Sequence, residues 1–214
     1  MCAPGQAWVP LGACCEWPAP TAPPAGGFPC PPGGESVQDG SAKQNEGGMR
    51  QEMVEEVLAG LREAGVSIAC YLPDSLFRGL YPALDAAPDI RTIRVTNEGE
   101  GAAICGGVFL SGKRAVLVME NSGLRAAIEP LARMGLGAGI PVVMVMSHRG
   151  ELGENNWWAI PHGMTMEPLL QAMRIPYRLV TRGAEIRRAI ADAFLWSYAA
   201  YYHSAVCLGG ETVR

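Results

Sequence analysis

Apolar and polar positions alternate with two different periods from residue 49 to the end of the chain. Short apolar runs flanked by Gly, Pro or charge predict buried strands, and apolar residues spaced three and four apart predict helices. The predicted strands cover residues 66–72, 90–95, 115–119, 140–146, 177–180 and 205–208. The predicted helices cover residues 49–64, 74–84, 98–110, 124–136, 166–173 and 184–200. Because the strands are apolar on both faces, the pattern predicts an α/β fold with a doubly wound parallel sheet and helices on both faces.

Residues 1–48 differ in composition from the rest of the chain. This stretch contains 9 of the 17 prolines and shows hardly any periodic hydrophobicity. Such a segment cannot bury enough apolar surface to offset the entropy of ordering its backbone. We therefore predict a disordered tail over residues 1–48 and one folded domain over residues 49–214.

Charge and cysteine usage narrow the class of protein. The formal net charge is −4, and no run of Lys or Arg occurs, so nucleic acids and anionic membranes are not expected partners. The apolar runs are shorter than the ~20 residues that span a bilayer, and the first residues lack the pattern of a secretory signal. These features predict a cytoplasmic protein. The apolar surroundings of Cys70, Cys105 and Cys207 predict buried free thiols.

Polar residues directly follow four of the predicted strands. They occupy the loops at residues 72–75, 96–101, 119–123 and 147–151. The carboxyl ends of parallel strands lie at one edge of the sheet, where open α/β domains bind their ligands. The sequence therefore predicts a site at this edge.

Each polar residue at this edge also has a purely structural interpretation. Asp74, Ser75 and Ser122 are good helix N-cap residues, because their side-chain oxygens accept hydrogen bonds from free backbone N–H groups. Arg149 can form an ordinary surface ion pair with Glu151 or Glu154, worth ~0 to 1 kcal/mol. No group of His, Asp and Glu has the spacing of a metal site, so no metal is assigned to this chain.

The helix after the second predicted strand carries a motif that belongs to a wider resemblance. Asn97-Glu98-Gly99 is followed by Gly107 and then by Gly112-Lys113. This segment resembles the glutamate-bearing helix of thiamine-diphosphate enzymes of the decarboxylase and acetolactate-synthase group. Three other motifs make the chain similar to the sulfopyruvate decarboxylase α subunit and to the matching half of phosphonopyruvate decarboxylase. They are Leu-Pro-Asp-Ser at 72–75, Asn-Ser-Gly-Leu at 121–124 and Ser-His-Arg-Gly-Glu at 147–151.

The resemblance implies a pyrimidine-binding domain, in which one glutamate contacts the aminopyrimidine of thiamine diphosphate. Glu98 is assigned this role, with Glu100 as the rival. Gly107 lies nine residues after Glu98, which is where the family has its helix glycine. A count from Glu100 does not place Gly107 at that position. Asp74 and Ser75 are implied to lie near the reacting centre, as a proton relay or as polar contacts.

The resemblance assigns two further pairs of residues. Asn121 and Ser122 are implied to face the cofactor. His148 and Arg149 are candidates for binding the sulfonate or phosphonate group of the substrate, since guanidinium geometry matches tetrahedral oxyanions. The family is expected to have smaller or polar residues where this chain has Trp157-Trp158.

A second chain is implied by the same resemblance. No Gly-Asp-Gly motif occurs here, so a separate β subunit is expected to hold Mg²⁺ and the diphosphate. A small-molecule 2-oxoacid is the expected substrate, and the expected reaction converts sulfopyruvate to sulfoacetaldehyde and CO₂. The alternatives are phosphonopyruvate or another 3-substituted pyruvate as substrate, or a non-catalytic α/β domain that regulates or scaffolds a partner.

Overall fold

The computed structural model describes residues 48–213. The predicted disordered tail, apart from residue 48, lies outside the described residues. The helices are α1 (Gln51–Glu63), α2 (Leu80–Ala86), α3 (Glu98–Leu110), α4 (Leu124–Ala132), α5 (Ile160–Ala172) and α6 (Ile186–Ala200). The strands are β1 (Ile68–Tyr71), β2 (Arg91–Arg94), β3 (Ala115–Glu120), β4 (Val143–Ser147), β5 (Tyr177–Val180) and β6 (Ser204–Leu208).

The strands form one parallel sheet in the order β2-β1-β3-β4-β6-β5. The central strands β3 and β4 are buried almost throughout, which matches their uninterrupted apolar sequences. A parallel sheet of this kind needs a cover on both faces. The prediction of a doubly wound α/β domain is confirmed.

Alternate residues of the central strands supply two separate cores. Val116 and Val118 of β3 face one core, which α1, α2 and α6 complete. Leu117 and Met119 face the other core, which α3, α4 and α5 complete. The period of two along a strand therefore divides one apolar run between both faces of the sheet.

Several predicted boundaries were wrong, and each error has a local cause. The helix predicted over residues 74–84 is α2, which begins only at Leu80. The Asp74 carboxylate accepts hydrogen bonds from the backbone N–H groups of Leu76 and Phe77 and so holds the residues before Leu80 in a turn. The helix predicted over residues 166–173 is α5 and begins at Ile160. Pro161 is tolerated there because the first helical turn needs no N–H donor from it. The helix predicted over residues 124–136 ends as an α-helix at Ala132, and a π-helical turn follows it.

Two other predictions concern the cysteines and the membrane. Cys70, Cys105 and Cys207 are buried free thiols, as predicted. Within residues 48–213, none of the helices combines the length and the apolar character that crossing a bilayer requires.

The sheet order changes direction between β1 and β3. From β1 the chain first adds β2 on one side and then returns to add β3 on the other side. Loops leaving such a pair of strands diverge and leave a crevice at their carboxyl ends. The topology therefore places a ligand site beside the ends of β1 and β3.

His203 generates a prediction about acid stability. It is fully buried, its Nδ1 accepts from the backbone N–H of Val142 at 3.0 Å, and its Nε2 lies 2.8 Å from the carbonyl oxygen of Leu131. Burial lowers the pKa of His203 below its ordinary value. The folded state therefore binds this proton less readily than the unfolded state. Stability is retained above pH ~6.5 and falls as the pH drops below that value towards the folded pKa.

Urea unfolding at pH 7.5 and pH 5.5 tests this expectation. His203→Gln should lower the free energy of unfolding at pH 7.5 by about 1–3 kcal/mol, because buried partners lose their hydrogen bonds. The further loss between pH 7.5 and pH 5.5 should be smaller in His203→Gln than in the wild type. An unchanged decrease in His203→Gln would contradict the assignment.

Candidate active site

A cleft of about 220 Å³ opens at the carboxyl edge of the sheet, beside the ends of β1, β3 and β4. We call it the edge cleft. Its lining contains polar residues from all four loops that the sequence singled out, and a tryptophan from the loop after β4. The lining residues are Leu72, Pro73, Asp74, Ser75, Glu98, Glu120, Ser122, Arg149 and Trp158.

Glu98 enters the edge cleft from the first position of α3. The helix begins there because Asn97 is its N-cap and accepts a 2.7 Å hydrogen bond from the backbone N–H of Gly99. The Glu98 side chain lies directly on Gly123. A Cβ atom at Gly123 would come within 2.6 Å of Glu98 Oε1, so a larger residue there would displace the Glu98 side chain.

Glu100 has a different role. Its carboxylate accepts hydrogen bonds from both the backbone N–H and the hydroxyl of Thr96, each at 2.8 Å. The hydrogen bond from the Thr96 backbone is the main reason that the pKa of Glu100 lies below its ordinary value. Glu100 therefore caps the entrance to α3 and does not line the edge cleft, which favours Glu98 as the carboxylate of the site.

Asp74 lines the edge cleft, but its oxygens already have partners. Oδ1 accepts from the backbone N–H groups of Leu76 and Phe77 at 2.8 and 3.0 Å, and Oδ2 accepts from the hydroxyl of Tyr81 at 2.7 Å. Burial, followed by the charge of Asp74, raises the pKa of Tyr81. These hydrogen bonds agree with the structural interpretation of Asp74, in which its carboxylate caps free backbone N–H groups. The next residue, Ser75, also lines the cleft.

Asn121 is turned away from the edge cleft and joins two strand ends. It is almost fully buried, donates to the carbonyl oxygen of Arg149 at 2.9 Å and accepts from the Arg149 backbone N–H at 3.3 Å. The amide thus ties the end of β3 to the loop after β4. Its neighbour Ser122 lines the cleft, so the structure separates two residues that the sequence grouped together.

Arg149 reaches the edge cleft through a buried path. Its side chain is 8% exposed, its guanidinium carbon lies 4.6 Å from the centre of the Trp158 ring, and its Nε lies 3.5 Å from Glu154 Oε2. Burial opposes ionisation of Glu154, but hydrogen bonds from Asn156 and the charge of Arg149 outweigh it and lower the pKa of that carboxyl. The predicted ion pair with Glu154 is present, although it is buried and not on the surface.

His148 is not brought into the edge cleft. Its Nδ1 lies 3.1 Å from Glu151 Oε1, and its side chain packs against Gly209 at the end of β6. His148 and Arg149 are consecutive residues, but only Arg149 lines the edge cleft. The anion-binding role predicted for the pair has geometric support only for Arg149.

Two charged or titratable residues at the cleft, Glu120 and His162, were not predicted from the sequence. Glu120 is the last residue of β3 and lines the edge cleft, with Oε1 3.1 Å from Nδ1 of His162. A signal for Glu120 was present, because it directly precedes the Asn-Ser-Gly-Leu motif at 121–124, at the end of a predicted strand. His162 had no such signal, since it lies in the first turn of α5, far along the chain.

A close backbone contact brings α5 to the edge cleft. Gly150 has φ +85°, and a Cβ atom there would lie 2.5 Å from the backbone N of Gly163. A Cβ atom at Gly163 would meet the carbonyl oxygen of Gly150 in turn. The pair of glycines therefore lets the loop after β4 lie against the first turn of α5, where His162 is placed.

The fold and the edge cleft define a doubly wound α/β domain with a carboxylate-rich site at its carboxyl edge. No family model matches the chain. Sulfopyruvate decarboxylase subunit alpha of Methanothermobacter thermautotrophicus is 33% identical over 144 residues, which cover 67% of this chain and 87% of that protein. The protein of the same name from Methanococcus maripaludis is 32% identical over 154 residues, covering 72% of this chain and 92% of that relative.

A third relative carries the name of the second expected activity. Phosphonopyruvate decarboxylase of Streptomyces viridochromogenes is 34% identical over 101 residues, which cover 47% of this chain and 25% of that protein. The two archaeal relatives match over most of their own length. This chain belongs to the family of sulfopyruvate decarboxylase α subunits, and the resemblance found in its motifs is confirmed.

The position of Asn121 predicts a loss of stability. Asn121→Ala leaves the backbone N–H and carbonyl of Arg149 without their partners, so the free energy of unfolding should fall by about 1–3 kcal/mol in urea titrations. Ser122→Ala is the matched control, because Ser122 faces the open cleft, and it should change the value by less than about 0.5 kcal/mol. Equal losses in the two variants would show that Asn121 does not hold the strand ends together.

Proposed function

We propose that this chain is the α subunit of a thiamine-diphosphate-dependent decarboxylase that converts sulfopyruvate to sulfoacetaldehyde and CO₂. The observation that carries the proposal is the presence of Glu98 and Arg149 in one cleft at the topological switch point. One residue offers a carboxylate for a cofactor, and the other offers a buried guanidinium for an acidic substrate. Membership of the sulfopyruvate decarboxylase α family supports both assignments.

The residues of the edge cleft fit an aminopyrimidine. The Glu98 carboxylate lies on the bare backbone of Gly123 at the wall of the open cleft, where a planar ring can approach it. We assign Glu98 to the hydrogen bond with a pyrimidine nitrogen, and Ser122 to a polar contact on the same wall. When bound, thiamine diphosphate supplies the carbon nucleophile and electron sink that loss of CO₂ from a 2-oxo acid requires.

A partner subunit is part of the proposal. The archaeal relatives are named as α subunits, and such a name denotes one chain of a larger enzyme. We assign the diphosphate and its Mg²⁺ to a β subunit that closes over the edge cleft. Closure would exclude water from Glu98 and Arg149 and so strengthen their electrostatic interactions.

Arg149 is our candidate for binding the sulfonate of the substrate. Trp158 and Glu154 hold its guanidinium from two sides, and Asn121 fixes its backbone, so the group is oriented before the substrate arrives. His148 faces Glu151 outside the cleft, so we assign the anion to Arg149 alone.

The charges in the edge cleft favour a sulfonate over a phosphonate. Asp74, Glu98 and Glu120 all line the cleft with Arg149, so carboxylates outnumber guanidinium groups there. A sulfonate carries one negative charge, whereas a phosphonate, like a phosphate ester, carries about 1.5–2 at pH 7. The additional charge is repelled by the carboxylates, and this repulsion makes phosphonopyruvate the second choice.

The central experiment is co-expression of the chain with a β subunit, followed by measurement of CO₂ release from sulfopyruvate with thiamine diphosphate and Mg²⁺. Glu98→Gln should lower kcat by at least about 10²-fold, because it keeps the shape of the side chain but removes the group that exchanges protons. Glu100→Gln is the matched control from the same helical turn. It should stay within about 3-fold of the wild type, since the loss of one capping interaction costs only about 1 kcal/mol of stability.

Two outcomes would contradict this assignment. If Glu100→Gln were inactive and Glu98→Gln active, the two carboxylates would have exchanged roles. If the wild-type chain supported no CO₂ release with its partner, the alternative of a non-catalytic regulatory or scaffolding domain would be favoured.

A separate measurement tests the anion site. Arg149→Lys keeps a positive charge but loses the planar fork, and it should raise the KM for sulfopyruvate by about 10-fold or more. The KM for pyruvate, which has no sulfonate, should change by less than about 3-fold if Arg149 serves that group. Equal changes for both substrates would exclude Arg149 as the sulfonate ligand.

A further inference from the structure

Three buried polar atoms lack a hydrogen-bond partner within the described part of the chain. They are Ser147 Oγ, Arg149 Nε and His162 Nδ1. Most buried polar groups in proteins are paired, so a group of unpaired atoms calls for an explanation. Ser147 is the neighbour of Glu120 in the sheet register, Arg149 lines the edge cleft, and His162 lies beside Glu120. The unpaired atoms therefore cluster around Glu120 and Arg149, which form one wall of the cleft.

Glu120 and His162 form a close pair within this wall. Glu120 Oε1 lies 3.1 Å from His162 Nδ1, and the two side chains are only 13% and 11% exposed. The atoms are within proton-transfer distance, although their present orientation does not satisfy hydrogen-bond geometry. Glu120 is the member that reaches the cleft, while His162 stands behind it in the first turn of α5.

The charged groups around His162 come from several elements. Glu120 faces it from β3, Arg125 from α4 and Arg149 from the loop after β4, while the Trp158 ring lies 5.8 Å from the imidazole. Burial is the largest effect and lowers the pKa of His162. Glu120 opposes this decrease, and the two arginines add to it. The imidazole therefore holds its proton less tightly than an exposed histidine does, and Glu120 Oε1 lies 3.1 Å from it.

We propose that Glu120 and His162 act as the acid that supplies the proton consumed by the reaction, an inference that rests on the proposed function. When a 2-oxo acid loses CO₂, the bond between C1 and C2 breaks and its electron pair stays with C2. One proton is then needed to form the C–H bond of the aldehyde. The singly protonated pair gives up this proton through Glu120 and regains one from solvent. Glu120 is thus a catalytic residue, and His162 is a positioning residue that acts through it.

Histidine titration by NMR tests the pair on the full-length chain without substrate. With ¹³C-labelled histidine rings, each histidine of the chain can be followed, and the His162 signal is assigned by its loss in His162→Gln. Removal of the Glu120 charge should lower the pKa of His162, so Glu120→Gln should shift its titration by about 1 unit towards acid. Glu100→Gln, which removes a carboxylate outside the cleft, should leave the His162 titration unchanged. An identical titration in wild type and Glu120→Gln would overturn the pair.

Activity of the assembled enzyme provides the second measurement. In the wild type, kcat for sulfopyruvate should decrease as the pH rises and the pair loses its proton. Glu120→Gln should lower kcat by about 10²-fold and abolish the decrease of kcat with rising pH. His162→Gln should lower kcat by about 10-fold and shift the decrease, because Glu120 then carries the proton alone. If Glu120→Gln fails to fold, the pH dependence of kcat in His162→Gln still tests the role of the pair.

The outcomes separate this inference from the proposed function. An active wild-type enzyme in which both variants keep the wild-type kcat and pH profile would overturn the inference alone. A wild-type enzyme that releases no CO₂ from sulfopyruvate would overturn the proposed function and the inference with it. A shifted His162 titration together with a lost alkaline decrease is the result that supports the acid pair.

Discussion

The short turn that leaves β3 organises the whole edge cleft. Asn121 lies inside it and ties the end of β3 to the backbone of Arg149. Glu120, the residue before Asn121, faces the cleft, and Gly123, two residues after Asn121, forms the surface on which Glu98 lies. A buried amide that loses its partners is costly, so this geometry is held firmly. The positions of the Glu98, Glu120 and Arg149 side chains therefore depend on the buried amide of Asn121.

The carboxyl groups near the cleft differ because their surroundings differ. Glu100 is occupied by the backbone and hydroxyl of Thr96, and Asp74 is occupied by a turn and by Tyr81. Such hydrogen bonds fix the two side chains, which suits a structural role. Glu98 and Glu120 line the cleft, where the proposed ring nitrogen and reacting carbon would approach them. Similar side chains thus take different roles through their hydrogen bonds alone.

The sequence predicted this site as far as strand ends and local motifs can reach. Parallel strands bring their carboxyl ends to one edge, so the convergence of Asp74, Glu98 and Arg149 followed from the order of elements. The inward direction of Asn121 was not predicted, because an amide can cap, bind or join loops with equal ease. His162 was missed because its approach to Glu120 needs the backbone contact between the loop after β4 and α5. Contacts of this kind are tertiary and leave no periodic signal.

Arg149 joins these observations, because its burial has an energetic cost. A guanidinium that is 8% exposed needs compensation, and Glu154 and the Trp158 ring provide only part of it, since Nε has no hydrogen bond within residues 48–213. A fully neutralised arginine would have little reason to attract another anion. A partly compensated one that is already held in place would bind a second anion, as proposed, without first reorganising. The incomplete pairing of Arg149 is therefore the physical basis for expecting an acidic substrate in this cleft.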